Sequence, residues 1–343
     1  MPRAKLLVGI LVGTALVGTA FAGPVIAQTP SHSALTGKVT SQAEGAMEGV
    51  IVGAKKVGST ITTWVVSDAQ GQYSFPRDRM EPGKYAVSIR AVGYELPSTS
   101  VDVSAPPAHL DLQLNRVTST SKLVMQLSNG ELLMSVPGTQ EEKTALGGCV
   151  NCHTLQRALF SRYTPEELVP ILQRMSMHTN NSSPLHPWMR PSAGPASPPT
   201  ARQIAAAKYF STINLSSMDS FEFPLKTLPR PKGKATQVIY TTYDLPRSDA
   251  APHDAALDAQ GNVWYSDFTS QFIGKLDPKT GKVVEYPVPL NRLGTAAQGG
   301  LQIAFDKEGR VYFGNMSQMQ IVRLDKPRQS RRFLLKEFKL NQT

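Results

Sequence analysis

The chain has 343 residues, 41% of them apolar and 18% charged, and this is enough apolar material to form cores in two or three domains. Its 36 Lys and Arg against 26 Asp and Glu give a formal charge of +10. Apart from the stretch DKPRQSRRFLLKEFK (325–339), the basic residues are dispersed, which argues against a nucleic-acid partner and favours a solvated cationic surface. An anionic membrane surface or an acidic redox protein is the alternative partner for that surface.

The amino-terminal segment has the pattern of a secretory signal peptide. Arg3 and Lys5 precede an uncharged run over residues 6–22, and small residues follow. This predicts a signal peptide over residues 1–27, cleaved after Ala22 or after Ala27. The run is somewhat long for a cleaved signal, so an uncleaved anchor is the alternative, although the run is short for a membrane span of about 20 residues. We therefore expect a periplasmic or secreted protein.

Residues 33–116 contain short runs rich in Val, Ile and Tyr, with turn signals between them, and this pattern predicts a β-rich domain. The stretches GQYSFP (71–76) and PGKYAVSIRAVGY (82–94) resemble the carboxypeptidase regulatory-like domain. That resemblance implies a transthyretin-like β-sandwich that serves as a non-catalytic accessory module, with carbohydrate or protein as its ligand.

Three tyrosines of this region could serve either as sugar-stacking aromatics or as packing residues. They are Tyr73, Tyr85 and Tyr94. Their strand and turn positions favour packing.

The composition turns helical over residues 123–215. Three capping boxes predict three helix starts, because each pairs a Thr with a Glu or Gln three residues later. The pairs are Thr139 with Glu142, Thr164 with Glu167, and Thr200 with Gln203. Each of the last two helices has an apolar stripe that needs a partner. The stripes are Leu168, Ile171, Leu172 and Met175, and Ala206, Tyr209, Phe210 and Ile213.

Both cysteines of the chain lie in the stretch CVNCH, as Cys149 and Cys152, and His153 follows at once. A zinc site would need four ligands, and a thioredoxin-type dithiol would open a helix rather than end one. A disulfide between these cysteines would close too small a loop to stabilise much. Cys-x-x-Cys-His is the attachment motif of c-type haem, in which the thiols bind the vinyl groups and the histidine becomes the proximal iron ligand.

Residues 123–215 resemble a class I c-type cytochrome domain: an entry helix with CVNCH, a middle helix, a proline loop with a methionine, and a final helix. The resemblance implies an all-α domain with one covalent haem c, held by Cys149, Cys152 and His153. It also implies a methionine as sixth ligand, and Met189 occupies the loop position. The alternatives are Met175, Met177, His178 and His186. Met189 is followed by Arg190 rather than by the proline common in the family, and Trp188 could pack on the haem edge.

A proline- and lysine-rich linker over residues 216–235 leads into a β-rich region over 236–343 that repeats with a period of 48 residues. The repeat pairs Asp258 with Asp306, and Gly261 with Gly309. A period of this length suits one four-stranded propeller blade. The stretch PHDAALDAQGNVWYSDF resembles the virginiamycin B lyase-like and gluconolactonase-like β-propellers.

The resemblance implies an incomplete propeller of about two blades, because a propeller closes with about 4 to 8. We expect a chain shorter than its family, or one that another chain completes. The catalytic residues of the lyase-like family fall in later blades. His253 and Asp254 are therefore read as polar residues at a strand entrance rather than as a catalytic pair.

The sequence thus predicts a multidomain, exported c-type cytochrome for electron transfer, with accessory binding domains and no catalytic residue of its own. Its partner would be a redox protein such as a dehydrogenase or another cytochrome. A propeller enzyme of the lyase, lactonase or dehydrogenase type with a haem relay is one alternative. A carbohydrate-binding surface protein is the other.

Overall fold

The computed structural model describes residues 32–178, 189, 197–216, 221–289 and 299–325, and the backbone of 334–339. The predicted signal peptide over residues 1–27 lies outside this range. Within it, no helix is long and apolar enough to cross a membrane.

The first domain is a β-sandwich, as the resemblance to the carboxypeptidase regulatory-like domain implies. Its strands are β1 (Ser33–Ser41), β2 (Gly45–Ala46), β3 (Ile51–Lys56), β4 (Ile61–Val66), β5 (Gln72–Pro76), β6 (Gly83–Arg90), β7 (Tyr94–Glu95), β8 (Thr99–Val103), β9 (Ala108–His109) and β10 (Leu112–Arg116). One sheet has the order β2-β1-β10-β7, with β5 and β9 also paired to β1. The other sheet contains β4-β3-β6-β8. The inward side chains of both sheets form one core, in which Leu35, Phe75 and Leu112 are fully buried.

Six α-helices follow in the described part of the chain. They are α1 (Thr120–Gln126), α2 (Asn129–Ser135), α3 (Gln140–Gly147), α4 (Leu155–Leu159), α5 (Pro165–Ser176) and α6 (Ala201–Thr212). The three predicted capping boxes are confirmed, since Thr139, Thr164 and Thr200 each cap a helix reciprocally with the residue three positions on. A fourth box at Ser128 and Glu131 starts α2. The core of this region centres on Leu132, Leu146, Leu155 and Leu159.

The segment after the helices returns to the sandwich before the carboxyl-terminal sheets begin. Strand β11 (Tyr240–Tyr243) pairs antiparallel with β4, so the second sandwich sheet has the full order β11-β4-β3-β6-β8. The sequence assigned residues 236–343 to the propeller, and the structure places these four residues of that range in the sandwich. The physical reason is that β4 would otherwise be an open sheet edge with unpaired backbone groups.

Two four-stranded antiparallel sheets complete the described chain. The first contains β12 (Pro252–Leu257), β13 (Val263–Asp267), β14 (Phe272–Leu276) and β15 (Val283–Pro287), and the second contains β16 (Gly300–Phe305), β17 (Val311–Asn315), β18 (Gln320–Asp325) and β19 (Leu334–Lys339). Residues of both sheets share one core, which includes Trp264, Ile273, Phe313 and Val322.

The internal repeat of 48 residues is confirmed in the strand register. Val263 pairs with Leu276 in the first sheet, and Val311 pairs with Leu324 at the same position of the second. Both sheets also have a register shift between their first two strands, at Pro252/Ala255 and at Gly300/Ile303. The sequence repeat therefore corresponds to two copies of one blade-like unit.

The predicted linker over residues 216–235 is held against the helical region and against the β-sandwich. Ser135 Oγ accepts a hydrogen bond from the Lys226 backbone at 2.9 Å, and Glu131 Oε1 accepts one from the Leu228 backbone at 3.0 Å. Further along, Glu48 Oε1 accepts one from the Gly233 backbone at 2.9 Å, and Arg230 forms an ion pair with Glu44. The linker thus has fixed partners on α2 and on the sandwich.

Candidate functional site

The stretch CVNCH lies directly after the carboxyl end of α3. A 3₁₀ turn over Gly148–Asn151 continues the chain, and the backbone N–H groups of Cys152 and His153 both donate to the Cys149 carbonyl at 3.2 Å. This tight turn folds His153 back beside Cys149. The five residues of CVNCH therefore form one compact curl of the backbone.

A cavity of about 330 Å³ opens beside this curl. Cys149 and His153 form one part of its wall, and the apolar stripe of α5 forms another. The stripe members at the cavity are Leu168, Ile171, Leu172 and Met175. Phe160 and Phe210 also line it, and Arg157 and Arg174 add positive charge. Both the size and the mixture of an apolar wall with a few polar groups are typical of a cofactor site.

The stripe of α5 divides between the helical core and the cavity. Leu168 is buried in that core and Leu172 packs against it, whereas Met175 is 40% exposed. All four members also line the cavity. By contrast, Tyr209, Phe210 and Ile213 of the stripe after Thr200 are buried in the helical core, as predicted.

The His153 ring is oriented by a hydrogen bond on one of its two nitrogens. Nδ1 lies 2.9 Å from the Thr154 carbonyl oxygen, and because a carbonyl can only accept, Nδ1 carries the proton. Nε2 then has a free lone pair. A histidine fixed in this way by its own backbone is suited to bind a metal through Nε2.

The two cysteines are not joined in a disulfide, and their thiols are not activated. Burial raises the pKa of Cys149 to about 11, with the neighbouring Cys152 thiol adding to the shift, and burial also raises the pKa of Cys152. A thioredoxin-type dithiol requires a lowered pKa, which a helix amino terminus provides. These cysteines follow the carboxyl end of α3, where the helix dipole favours the protonated form.

No cluster of three or more His, Cys, Asp and Glu side chains suited to a metal ion occurs in the described residues. The iron of a haem would be held differently, by its porphyrin and by axial ligands. The site fits this group on three counts: the Cys149 thiol and the oriented His153 imidazole line the cavity, its wall is apolar, and Cys152, which is not among the lining residues, follows Cys149 at the attachment spacing.

The structure separates the two leading candidates for the sixth ligand. Met189 is 48% exposed and forms an isolated β-bridge with His178, and it does not line the cavity. Met175 does line it. His186 and Trp188 lie outside the described residues.

The sequence analysis also considered three tyrosines for sugar stacking and His253 with Asp254 for catalysis, and the structure shows what these side chains contact. Tyr73, Tyr85 and Tyr94 are at most 5% exposed and donate to Leu110 O, Glu81 O and Glu44 Oε1, so they are packing residues. His253 Nδ1 lies 3.4 Å from Asp254 Oδ1, and its ring packs against Phe268.

Sequence reasoning missed several cavity residues on the loop that follows α4. Phe160, Ser161 and Tyr163 reach the cavity from a turn in which Arg162 has a φ of 59°. A non-glycine residue in this region of φ is uncommon and marks a tightly constrained turn.

The comparisons with known proteins identify the first domain. Residues 34–115 match the family model of the carboxypeptidase regulatory-like domain, which confirms the sandwich prediction. No curated protein is similar enough in sequence to count as a match.

Solved structures similar to the chain include two lyases and one further protein. Selenomethionine-substituted virginiamycin B lyase from Staphylococcus aureus is 24% identical over 31% of this chain and 32% of its own, with a TM-score of 0.25. A streptogramin B lyase is 23% identical with the same coverage and TM-score. The Bacillus anthracis TIE protein is 17% identical over 25% of this chain and 16% of its own, with a TM-score of 0.21. The chain thus spans about a third of the length of these lyases.

Proposed function

We propose that this protein is an exported c-type cytochrome that transfers electrons, with the sandwich and the carboxyl-terminal sheets as accessory domains. The observation that carries the proposal is the cavity beside the curl of CVNCH, lined by Cys149, His153 and the apolar stripe of α5. A sequence motif alone would be compatible with other uses of the cysteines. The motif together with an apolar cavity at the same place supports haem attachment.

In this proposal each residue of the site makes a different contact with one haem c. Cys149 and Cys152 would hold the haem through thioethers, and His153 would bind the iron through Nε2, while the Thr154 carbonyl keeps the imidazole in that orientation. The haem would supply a one-electron ferric/ferrous couple. The apolar side chains of α5 exclude water from the site, which stabilises the less charged ferrous state.

The remaining features follow from the same proposal. A methionine serves as the sixth ligand, either Met189 of the proline loop or Met175 of the cavity wall. The signal sequence directs the chain to the periplasm or outside the cell, where haem attachment occurs. The partner is a redox protein, a dehydrogenase or another cytochrome, and an acidic docking surface on it would complement the net charge of +10.

The test is expression together with haem-attachment machinery, followed by denaturing electrophoresis and haem staining. We expect one covalent haem per chain, and a stained band at the mass of the chain. The double variant Cys149→Ala/Cys152→Ala should lose the band. Val150→Ala is the matched control, because it changes an exposed residue between the two cysteines and should keep it. A stained band from the double variant, or none from the unaltered chain, would refute the proposal.

A further inference from the structure

We propose that the outer face of the second sandwich sheet binds a neutral polysaccharide on an aromatic platform formed by Trp64 and Tyr240. This site lies on the β-sandwich and is independent of the haem proposal. The aromatic platform is contributed by two distant parts of the chain, because Trp64 belongs to β4 and Tyr240 to β11.

The Trp64 ring lies flat on the sheet. Trp64 pairs in register with Gly53 of β3 on one side and with Tyr240 on the other. A Cβ atom added at Gly53 would lie 2.5 Å from Cζ3 of the indole, so the ring occupies the space that only a glycine leaves open. Trp64 Nε1 donates to Thr242 Oγ1 at 2.8 Å, which fixes the ring in its plane. The indole is therefore held in place before any ligand arrives.

Tyr240 extends this flat surface. The two rings are 10° from parallel and their centroids are 6.0 Å apart. This separation is larger than the roughly 3.5–4 Å of rings in direct face-to-face contact, so the rings are displaced sideways and form neighbouring plates. Tyr240 is 38% exposed. Together they present a rigid, extended apolar surface at the edge of the sheet.

The surroundings of the aromatic platform carry hydroxyl groups and paired charges. Ser88, directly opposite Gly53 on β6, is exposed, and so is Thr242. Lys55 is paired with Asp244, and Arg90 with the buried Glu131. Lys84 of the same face lies opposite Asp102 in the register of β6 and β8, so charges of opposite sign balance across the face, and it complements a neutral partner.

A pyranose ring has the matching chemistry. One face of the sugar consists of C–H groups that pack on an aromatic plane, and its rim consists of hydroxyls that bond to Ser and Thr side chains. A protein partner would instead require a larger apolar centre than one aromatic pair provides. These features commit the site to a neutral glycan.

The test is native affinity electrophoresis of the full-length protein in gels containing hydroxyethyl cellulose, xyloglucan, galactomannan or amylopectin, with polygalacturonate as an anionic probe. We expect at least one neutral polymer to retard the protein. Trp64→Ala and Tyr240→Ala should each weaken that retardation at least about tenfold, and Tyr240→Phe should keep it because the ring remains. Leu257→Ala, at an exposed apolar residue of the first blade, is the matched control.

Two outcomes would overturn the proposal. One is a protein that none of the four neutral polymers retards, or that only polygalacturonate retards. The other is unchanged retardation of both alanine variants. Circular dichroism verifies that the variants are folded, and Tyr240→Ala on the edge strand tests the site even if Trp64→Ala is unstable. Haem staining of the same samples reports on the electron-transfer proposal separately, since neither variant touches the cavity.

Discussion

At the scale of single residues, two methionines are candidates for the sixth iron ligand of the proposed haem. Met175 lines the cavity and Met189 does not, so we expect Met175→Ala to alter the iron coordination more than Met189→Ala does. A methionine ligand gives the oxidised protein a weak near-infrared sulfur-to-iron band and keeps carbon monoxide from the reduced iron. The measurement is the absorption spectrum of each variant with and without carbon monoxide. Loss of the band in Met189→Ala alone would instead confirm the loop ligand that the sequence predicts.

Glu131 joins three parts of the chain through one buried carboxylate. Its side chain is 1% exposed and accepts hydrogen bonds from Ser128, the Leu228 backbone and Arg90. Burial raises the pKa of this carboxyl, but these hydrogen bonds and the Arg90 charge outweigh that effect and leave the pKa below its usual value of 4.5.

The charged form of Glu131 is thus favoured by folding, and its contribution to stability is present above the pKa of the unfolded chain and is lost as the pH falls through the folded pKa. We expect Glu131→Gln to lower the free energy of unfolding at neutral pH by about 2–3 kcal/mol. The deficit should shrink as the pH falls below about 4.5. Urea unfolding at a series of pH values measures it, and a pH-independent deficit would contradict the prediction.

At the scale of elements, α5 depends on its cap and supplies a wall of the cavity. Thr164 Oγ1 accepts from the Glu167 backbone at 3.3 Å, and Glu167 Oε2 accepts from the Thr164 backbone at 2.9 Å. We expect Thr164→Ala to destabilise the helical region by about 1 kcal/mol, since one amide at the helix start loses its acceptor. Far-ultraviolet circular dichroism during urea unfolding measures this. Thr164→Ser keeps the hydroxyl and should behave like the unaltered protein.

At the scale of the whole molecule, the hydrogen bonds of the linker over residues 216–235 indicate a fixed segment rather than a flexible tether. The backbone N–H groups of Lys226, Leu228 and Gly233 donate to side chains of α2 and the sandwich. We therefore expect these three amides to exchange with deuterium more slowly than a solvated proline-rich segment would. Glu48→Ala should remove the protection at Gly233 and leave it at Lys226. Equally fast exchange at all three amides would show that the linker is free.

Much of the local structure could be predicted because its signals lie close together in the sequence. A capping box needs residues three apart, and the blade-like repeat shows as identical turn residues 48 apart, such as Gly261 and Gly309 with their positive φ of 80° and 74°. Likewise, the proposed haem residues Cys149, Cys152 and His153 form one motif. For the proposed haem site, the sequence therefore determined which residues would hold the haem and that they form a compact group.

Only the tertiary structure decided which surfaces meet. Tyr240 and its neighbours have an ordinary strand pattern, and nothing in it specifies that the open edge of β4 is their partner, so both β11 and the aromatic platform were invisible in the sequence. The apolar stripe of α5 required some partner, but periodicity cannot distinguish a core from a cavity, so only the structure places Met175 at the cavity. Short sequence patterns determine local conformation because their hydrogen bonds join residues a few positions apart. The pairing of distant segments depends instead on how all the folded elements fit together.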